Sequence, residues 1–301
     1  MSADVREVEI VVGAASEVGG RETNQDSYLI RPLSATGPSQ NGQAFLIAVA
    51  DGMGGYQDGD IASRTATELL EDLFAREMPQ DVASALKQAF RRANDAIYQR
   101  SQGEGTNGPM GTTLVAAVIQ GPYATIASVG DSRAYLVRAN QLTQVTQDHS
   151  LVAEQITQGA LSETDARRSP QRNILTHALG HREQLDRKMP GIFEITLLPE
   201  DRLFLCSDGF YDVLQTEDYL RELAKPDAGE AATALATLAV ERGASDNVTA
   251  VVAAVKPSLA TVQRELIAAD VAGRRPSLVV PILISLLIVL IAAGAILFFL
   301  L

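Results

Sequence analysis

The sequence predicts an α+β domain of antiparallel strands with helices packed on a sheet, followed by one apolar helix. Three observations carry this. Short apolar runs such as Phe45, Leu46, Ile47, Ala48, Val49 and Ala50 stop abruptly at aspartate and glycine, as strands buried on both faces do. Two longer stretches repeat apolar residues at helical spacing. The last 24 residues, 278–301, carry no charge.

In chain order, EVEIVVGA at 7–14 alternates like a strand, and a glycine-rich turn leads to Arg21 and RETNQDSYLI. Asp26 therefore begins or just precedes a second strand through Tyr28 and Ile30. SATGPSQNGQ is a loop, and the run at 44–50 is the third strand, closed by DGMGG. Ile61, Ala62, Thr65, Ala66, Leu69, Leu70, Leu73 and Phe74 form one helical stripe, and Val82, Leu86, Ala89, Phe90, Ala93 and Ile97 another. Each stripe asks for a sheet to cover it. From Thr112 the pattern returns to strands: TTLVAAVI, YATIASV and SRAYLV. Only Gly130 and Asp131 separate the last two, which predicts an antiparallel hairpin with Asp131 at its tip. Residues 146–179 are polar and weakly periodic, with a short helix after Ser150 and a capping pattern SETD at Ser162, and read as a mobile flap. RLFLC then precedes Asp208, a helix runs from about Glu230 to Arg242, and a final strand follows Asp246.

Net charge is −12, from 37 acidic and 25 basic residues, which argues against a nucleic-acid surface. Phosphate substrates stay open, because a metal can supply the missing positive potential. The single cysteine, Cys206, cannot form an intramolecular disulfide and reads as a small core residue. No signal peptide opens the chain, so a cytosolic main domain is expected. As a helix, 278–301 would span roughly 36 Å, enough for a hydrocarbon core of about 30 Å. Arg274 and Arg275 precede it and no charge follows, so the expected arrangement is a catalytic domain at 1–255, a juxtamembrane linker at 256–277 and a single-pass transmembrane helix. The main domain would face the cytoplasm.

Asp51, Asp208 and Asp246 each adjoin an apolar strand. One such residue alone is more commonly a cap or turn residue. Three converging carboxylates repel each other unless a hard divalent cation, Mg²⁺ or Mn²⁺, neutralises them. Gly52, lacking a Cβ, lets its backbone carbonyl approach the same ligand.

RETNQD, VADGMGG, MGTT, SVGDSR, THALG, CSDG and ASDN, in this order, resemble the successive motifs of the type 2C metal-dependent serine/threonine protein phosphatases in their bacterial form, over about residues 7–255. The resemblance implies a sandwich of two antiparallel sheets with helices on both outer faces. It implies two Mn²⁺ or Mg²⁺ ions bridged by Asp51, with the Gly52 carbonyl on one ion and Asp208 and Asp246 on the other. Asp26 matches the residue that orients a metal water, and Arg21 the arginine that binds the substrate phosphate. Asp131 matches a ligand of a third, weaker ion shared with Asp208; a plain turn residue is the equal alternative.

The chemistry so implied is direct attack on phosphoserine or phosphothreonine by a hydroxide bridging the metals. Met53 stands where some family members carry a histidine. His149, His177 and His181 read as packing or surface residues, leaving a metal-bound water to protonate the alkoxide. The expected partners are phosphorylated proteins, serine/threonine kinases or their substrates, met at a membrane. The alternative is a non-catalytic, membrane-tethered phosphoprotein-binding module, which the full set of aspartates disfavours.

Overall fold

The computed structural model describes residues 8–33, 43–54, 58–75, 78–103 and 109–258. Its strands are β1 (Val8–Glu17), β2 (Asp26–Leu33), β3 (Ala44–Met53), β4 (Gly111–Thr112), β5 (Leu114–Gln120), β6 (Tyr123–Val129), β7 (Arg133–Arg138), β8 (Gln141–Gln144), β9 (Gly191–Thr196), β10 (Arg202–Cys206) and β11 (Val248–Pro257). The helices are α1 (Asp58–Phe74), α2 (Val82–Ser101), α3 (Leu151–Thr157), α4 (Glu163–Arg168), α5 (Thr216–Leu223) and α6 (Ala228–Glu241). One sheet runs β1-β11-β10-β7-β8 and the other β2-β3-β5-β6-β9, with β4 paired to the end of β3. All these pairings are antiparallel.

Side-chain alternation sorts the apolar residues into three layers. On β3, Ile47 and Val49 face the space between the sheets, where they meet Val115, Ile126, Leu203, Leu205 and Val251. Leu46, Ala48 and Ala50 point the other way, onto Ala62, Ala66 and Leu70 of α1 and Phe90 and Ile97 of α2. The opposite outer face buries Phe204, Cys206 and Val252 under Tyr219 of α5 and Leu235 of α6. A strand covered on both sides has no polar alternation to show, which is why the run at 44–50 reads as uniformly apolar. The result is the expected α/β/β/α sandwich. Cys206 is fully buried, and its burial pushes the thiol far above its ordinary pKa.

The hairpin expected at Asp131 does not form. β6 pairs with β5 and β9, whereas β7 pairs with β10 and β8 in the other sheet. Gly130, at φ 100°, turns the chain from one sheet to the other and packs against Thr113 so closely that a Cβ would lie 2.6 Å from that side chain. Asp131 therefore sits at a corner between the sheets.

Within the segment read as a flap, Ser150 caps α3 and Ser162 caps α4, both by accepting a backbone N–H. Residues 278–301, expected to cross a membrane, and most of the linker lie outside the described residues. Among the described residues no helix is long and apolar enough to cross a membrane.

Candidate metal centre

β2 and β3 pair in a register that sets Asp26 directly opposite Asp51. Like charges so placed are unfavourable unless something neutralises them. Asp208 opens a 3₁₀ turn immediately after β10, and Asp246 lies two residues before β11, the neighbour of β10. Asp131 reaches the same end from the corner between the sheets. The carboxylates raise one another: Asp51 is held well above its ordinary pKa by burial first and then by Asp26, Asp208, Asp131 and Asp246. Burial, with neighbouring carboxylates adding, lifts Asp208 to about 8. Asp26 and Asp131 are each lifted to about 6, chiefly by burial.

The surrounding backbone is fixed by residues the sequence did not single out for this role. The Asp51 N–H donates to Thr113 Oγ1 at 3.0 Å, and Asp51 O accepts from Thr112 Oγ1 and Thr113 N at 2.8 and 2.9 Å. Asn247 accepts the Gln25 N–H and donates to Val18 O and Thr23 O, tying the loop that carries Arg21 and Asp26 to the end of β11. Ser207 Oγ donates to Asp26 Oδ2 at 2.8 Å. Tyr211 OH donates to Asp131 Oδ2 at 3.1 Å. The Arg133 guanidinium lies 3.5 Å from the centre of the Tyr211 ring and is held bidentately by Asp148 at 2.6–3.0 Å. Asn247 and Arg133 fall within motifs visible in the sequence, beside residues already assigned. Tyr211 and Asp148 carry no such mark.

Among the described residues, Arg21 is the one cation paired to the cluster, with Nη2 2.5 Å from Asp246 Oδ2 and its side chain 56 % exposed. Asp26 Oδ1 and Asp208 Oδ1 are buried without any hydrogen-bond partner. Among the described residues, no group of three or more His, Cys, Asp or Glu side chains is arranged so that it could hold a metal ion by itself. The centre is thus an open set of mutually repelling carboxylates with orphaned oxygens. That donor chemistry fits hard divalent ions, which complete their coordination with backbone carbonyls, water and substrate oxygens.

Acids raised on folding hold protons that the unfolded chain releases, so they stabilise below the unfolded pKa and lose that contribution as pH climbs through the folded values. In chelator, the melting temperature is expected to fall by roughly 5 °C or more between pH 5 and pH 8. Added Mn²⁺ should restore more of it at pH 8 than at pH 5. A melting curve series that stays flat or rises with pH would contradict this.

A family model described as Protein phosphatase 2C matches residues 15–251. The chain belongs to that family. It is 37% identical over 211 residues to the serine/threonine phosphatase stp of Listeria welshimeri, covering 68% of this chain and 82% of that protein. It is also 37% identical to the serine/threonine protein phosphatase PstP of Mycobacterium tuberculosis over 70% of this chain and 40% of that longer protein. The crystal structure of PstP superposes with a TM-score of 0.72 at 34% identity, covering 83% of this chain and 99% of that one. Stp1 of Staphylococcus aureus gives 0.74 at 30% identity, covering 83% and 96%. The catalytic domain of PstP has been solved in complex with two manganese ions, with a TM-score of 0.70 at 33% identity. The sheet-to-sheet corner at Asp131 and the open carboxylate centre are therefore features of a protein phosphatase 2C domain.

Proposed function

We propose that this chain is a metal-dependent protein serine/threonine phosphatase acting on phosphorylated proteins through two Mn²⁺ or Mg²⁺ ions. The observation that carries it is the facing pair Asp26 and Asp51 with Asp208 beside them, none of the three in an ion pair among the described residues, and the partly exposed Asp246 neutralised at the rim by Arg21. Asp51, the Gly52 carbonyl, Asp208 and Asp246 would hold the two ions, and Asp131 with Asp208 a third. Bound there, the ions would neutralise phosphoryl charge and acidify water at neutral pH.

The protein's own groups do the rest. Asp26, held through Oδ2 by Ser207, keeps Oδ1 free to accept a hydrogen bond from water and so orient it. Arg21 stands at the exposed edge, where its planar guanidinium can leave Asp246 and clamp a phosphate. Tyr211 holds Asp131 through its hydroxyl, and Arg133 packs on the Tyr211 ring. His149 is no candidate acid: its Nδ1 accepts the Gly130 N–H, and burial with the nearby His177 lowers its pKa so that it is neutral at pH 7. Arg21→Ala is expected to raise KM for a phosphothreonine peptide about tenfold or more with a smaller change in kcat, since it removes binding to the phosphate. Unchanged steady-state kinetics would return Arg21 to an ordinary surface charge.

The uncharged segment 278–301 is the proposed anchor, holding the phosphatase domain at the cytoplasmic face of a membrane where kinases and their substrates are concentrated. Its length and lack of charge support this reading. Truncation after Pro257 should yield protein with near-normal peptide turnover that fractionates away from membranes. Release of the full-length chain from membranes by high salt alone would count against an anchor.

A further inference from the structure

Beyond the carboxylate centre, a cavity of about 410 Å³ opens along the segment 176–188, lined by His177, His181, Arg182, Arg187 and Lys188, with Asp186 as the single carboxylate. The three cations, Arg182, Arg187 and Lys188, against one carboxylate stand out in a chain of net charge −12. None of the ion pairs among the described residues uses Arg182, Arg187 or Lys188. Asp186, whose Oδ1 accepts the Lys188 backbone N–H at 2.8 Å, offsets part of this charge without forming an ion pair with any of the three. That bond first, and then the charges of His177, Lys188 and Arg182, hold its carboxyl below the usual range.

The cavity is built on fixed backbone. Asn94, fully buried on α2, accepts the Gly180 N–H at 3.0 Å and donates to Arg182 O and Glu183 O at 3.2 and 3.4 Å. The same loop is stitched to the site. Leu179 exchanges both backbone hydrogen bonds with Thr112, and Thr112 pairs with Gly52 on its other side. Two strand spacings therefore separate Gly52 from Leu179, about 10 Å. From the other direction, His177 packs edge-on against His149, with ring centres 5.7 Å apart, and His149 is bonded to Gly130 beside Asp131.

We propose that this cavity binds a second anionic group of the substrate, a phosphoryl group above all, about three residues or more along the peptide from the phosphoserine or phosphothreonine being hydrolysed. The proposal rests on the phosphatase reading and names the substrate class it prefers: multiply phosphorylated segments. An extended peptide advances about 3.3 Å per residue, and the cations lie beyond Leu179, so the second group falls about three residues or more away. Guanidinium groups outside any ion pair suit a phosphate, which they meet in fork geometry.

The test compares phosphothreonine peptides carrying, about three to six residues to either side, alanine or a non-hydrolysable phosphonate analogue of phosphoserine. With Mn²⁺, KM of the wild-type protein for the better doubly anionic peptide should be about tenfold lower than for the alanine peptide. The variant R182A/R187A/K188A should lose that difference while keeping kcat/KM on the alanine peptide. R182K/R187K, which keeps the charge and loses the fork, should keep only part of it. Fluorescence anisotropy with a peptide bearing only the phosphonate reads the cavity without catalysis, and the triple variant should bind it about tenfold more weakly. Equal KM for both peptides in the wild type, or a preference that survives in the triple variant, would overturn the proposal. So would cation-dependent binding to anionic phospholipid vesicles with no discrimination between peptides. If neither peptide is hydrolysed, the phosphatase reading falls, and anisotropy still decides the cavity.

Discussion

Asp51→Asn is expected to lower turnover of a phosphothreonine peptide by about a thousandfold or more, while the protein in chelator stays at least as stable as the wild type. The first effect follows because one buried carboxylate faces Asp26 across the ladder and adjoins Asp208, Asp131 and Asp246. Its loss removes the negative charge on which the metals would assemble, and about 4 kcal/mol of transition-state stabilisation corresponds to that factor. The second effect has the opposite sign because the amide is nearly isosteric and carries no charge to repel its neighbours. An ordinary core substitution lowers both activity and stability. Turnover within tenfold of wild type, or a large loss of melting temperature in chelator, would remove Asp51 from the centre of the account.

Gly52→Ala is expected to cost roughly 3 kcal/mol or more of stability and with it most activity. A Cβ there would lie 2.0 Å from Gly59 O and 2.5 Å from Gln25 O, both backbone atoms that cannot swing aside. Gly52 also donates its N–H to Gln25 O at 3.2 Å, so the strand cannot retreat without breaking that bond. The displacement would fall on Asp51 and on the Gly52 carbonyl together, and a shift of about 1 Å at such a site can cost about a hundredfold in rate. Differential scanning calorimetry and kinetics on the same preparation check both. A variant with wild-type melting and turnover would show that the strand end tolerates the methyl group and that its carbonyl has no fixed role.

Much of this was legible in the chain because burial leaves a mark that periodicity can read. The strand at 44–50, the two helical stripes and the ends of β10 and β11 all follow from apolar spacing interrupted by aspartate and glycine. The sheet to which a strand belongs is a different matter. A two-residue connection such as Gly130 and Asp131 suits a hairpin and a corner between sheets equally well, and only packing against Thr113 and β10 decides. β8 and β9 escaped notice for another reason: GIFEIT and QLTQ sit at sheet edges, where one side faces water and the apolar signal thins. At the site, the acidic residues announce themselves by type and place. Their supports do not declare a role, even where a motif contains them, because Thr113, Ser207, Tyr211 and Asn247 act through bonds to partners as many as 229 residues away.

The most direct test of the central claim is metal-dependent turnover with the bound ions counted. Protein stripped with chelator should hydrolyse no phosphothreonine peptide, and Mn²⁺ added back should restore turnover as two ions per chain bind. Undiminished hydrolysis in chelator, or full activity without any bound ion, would contradict it.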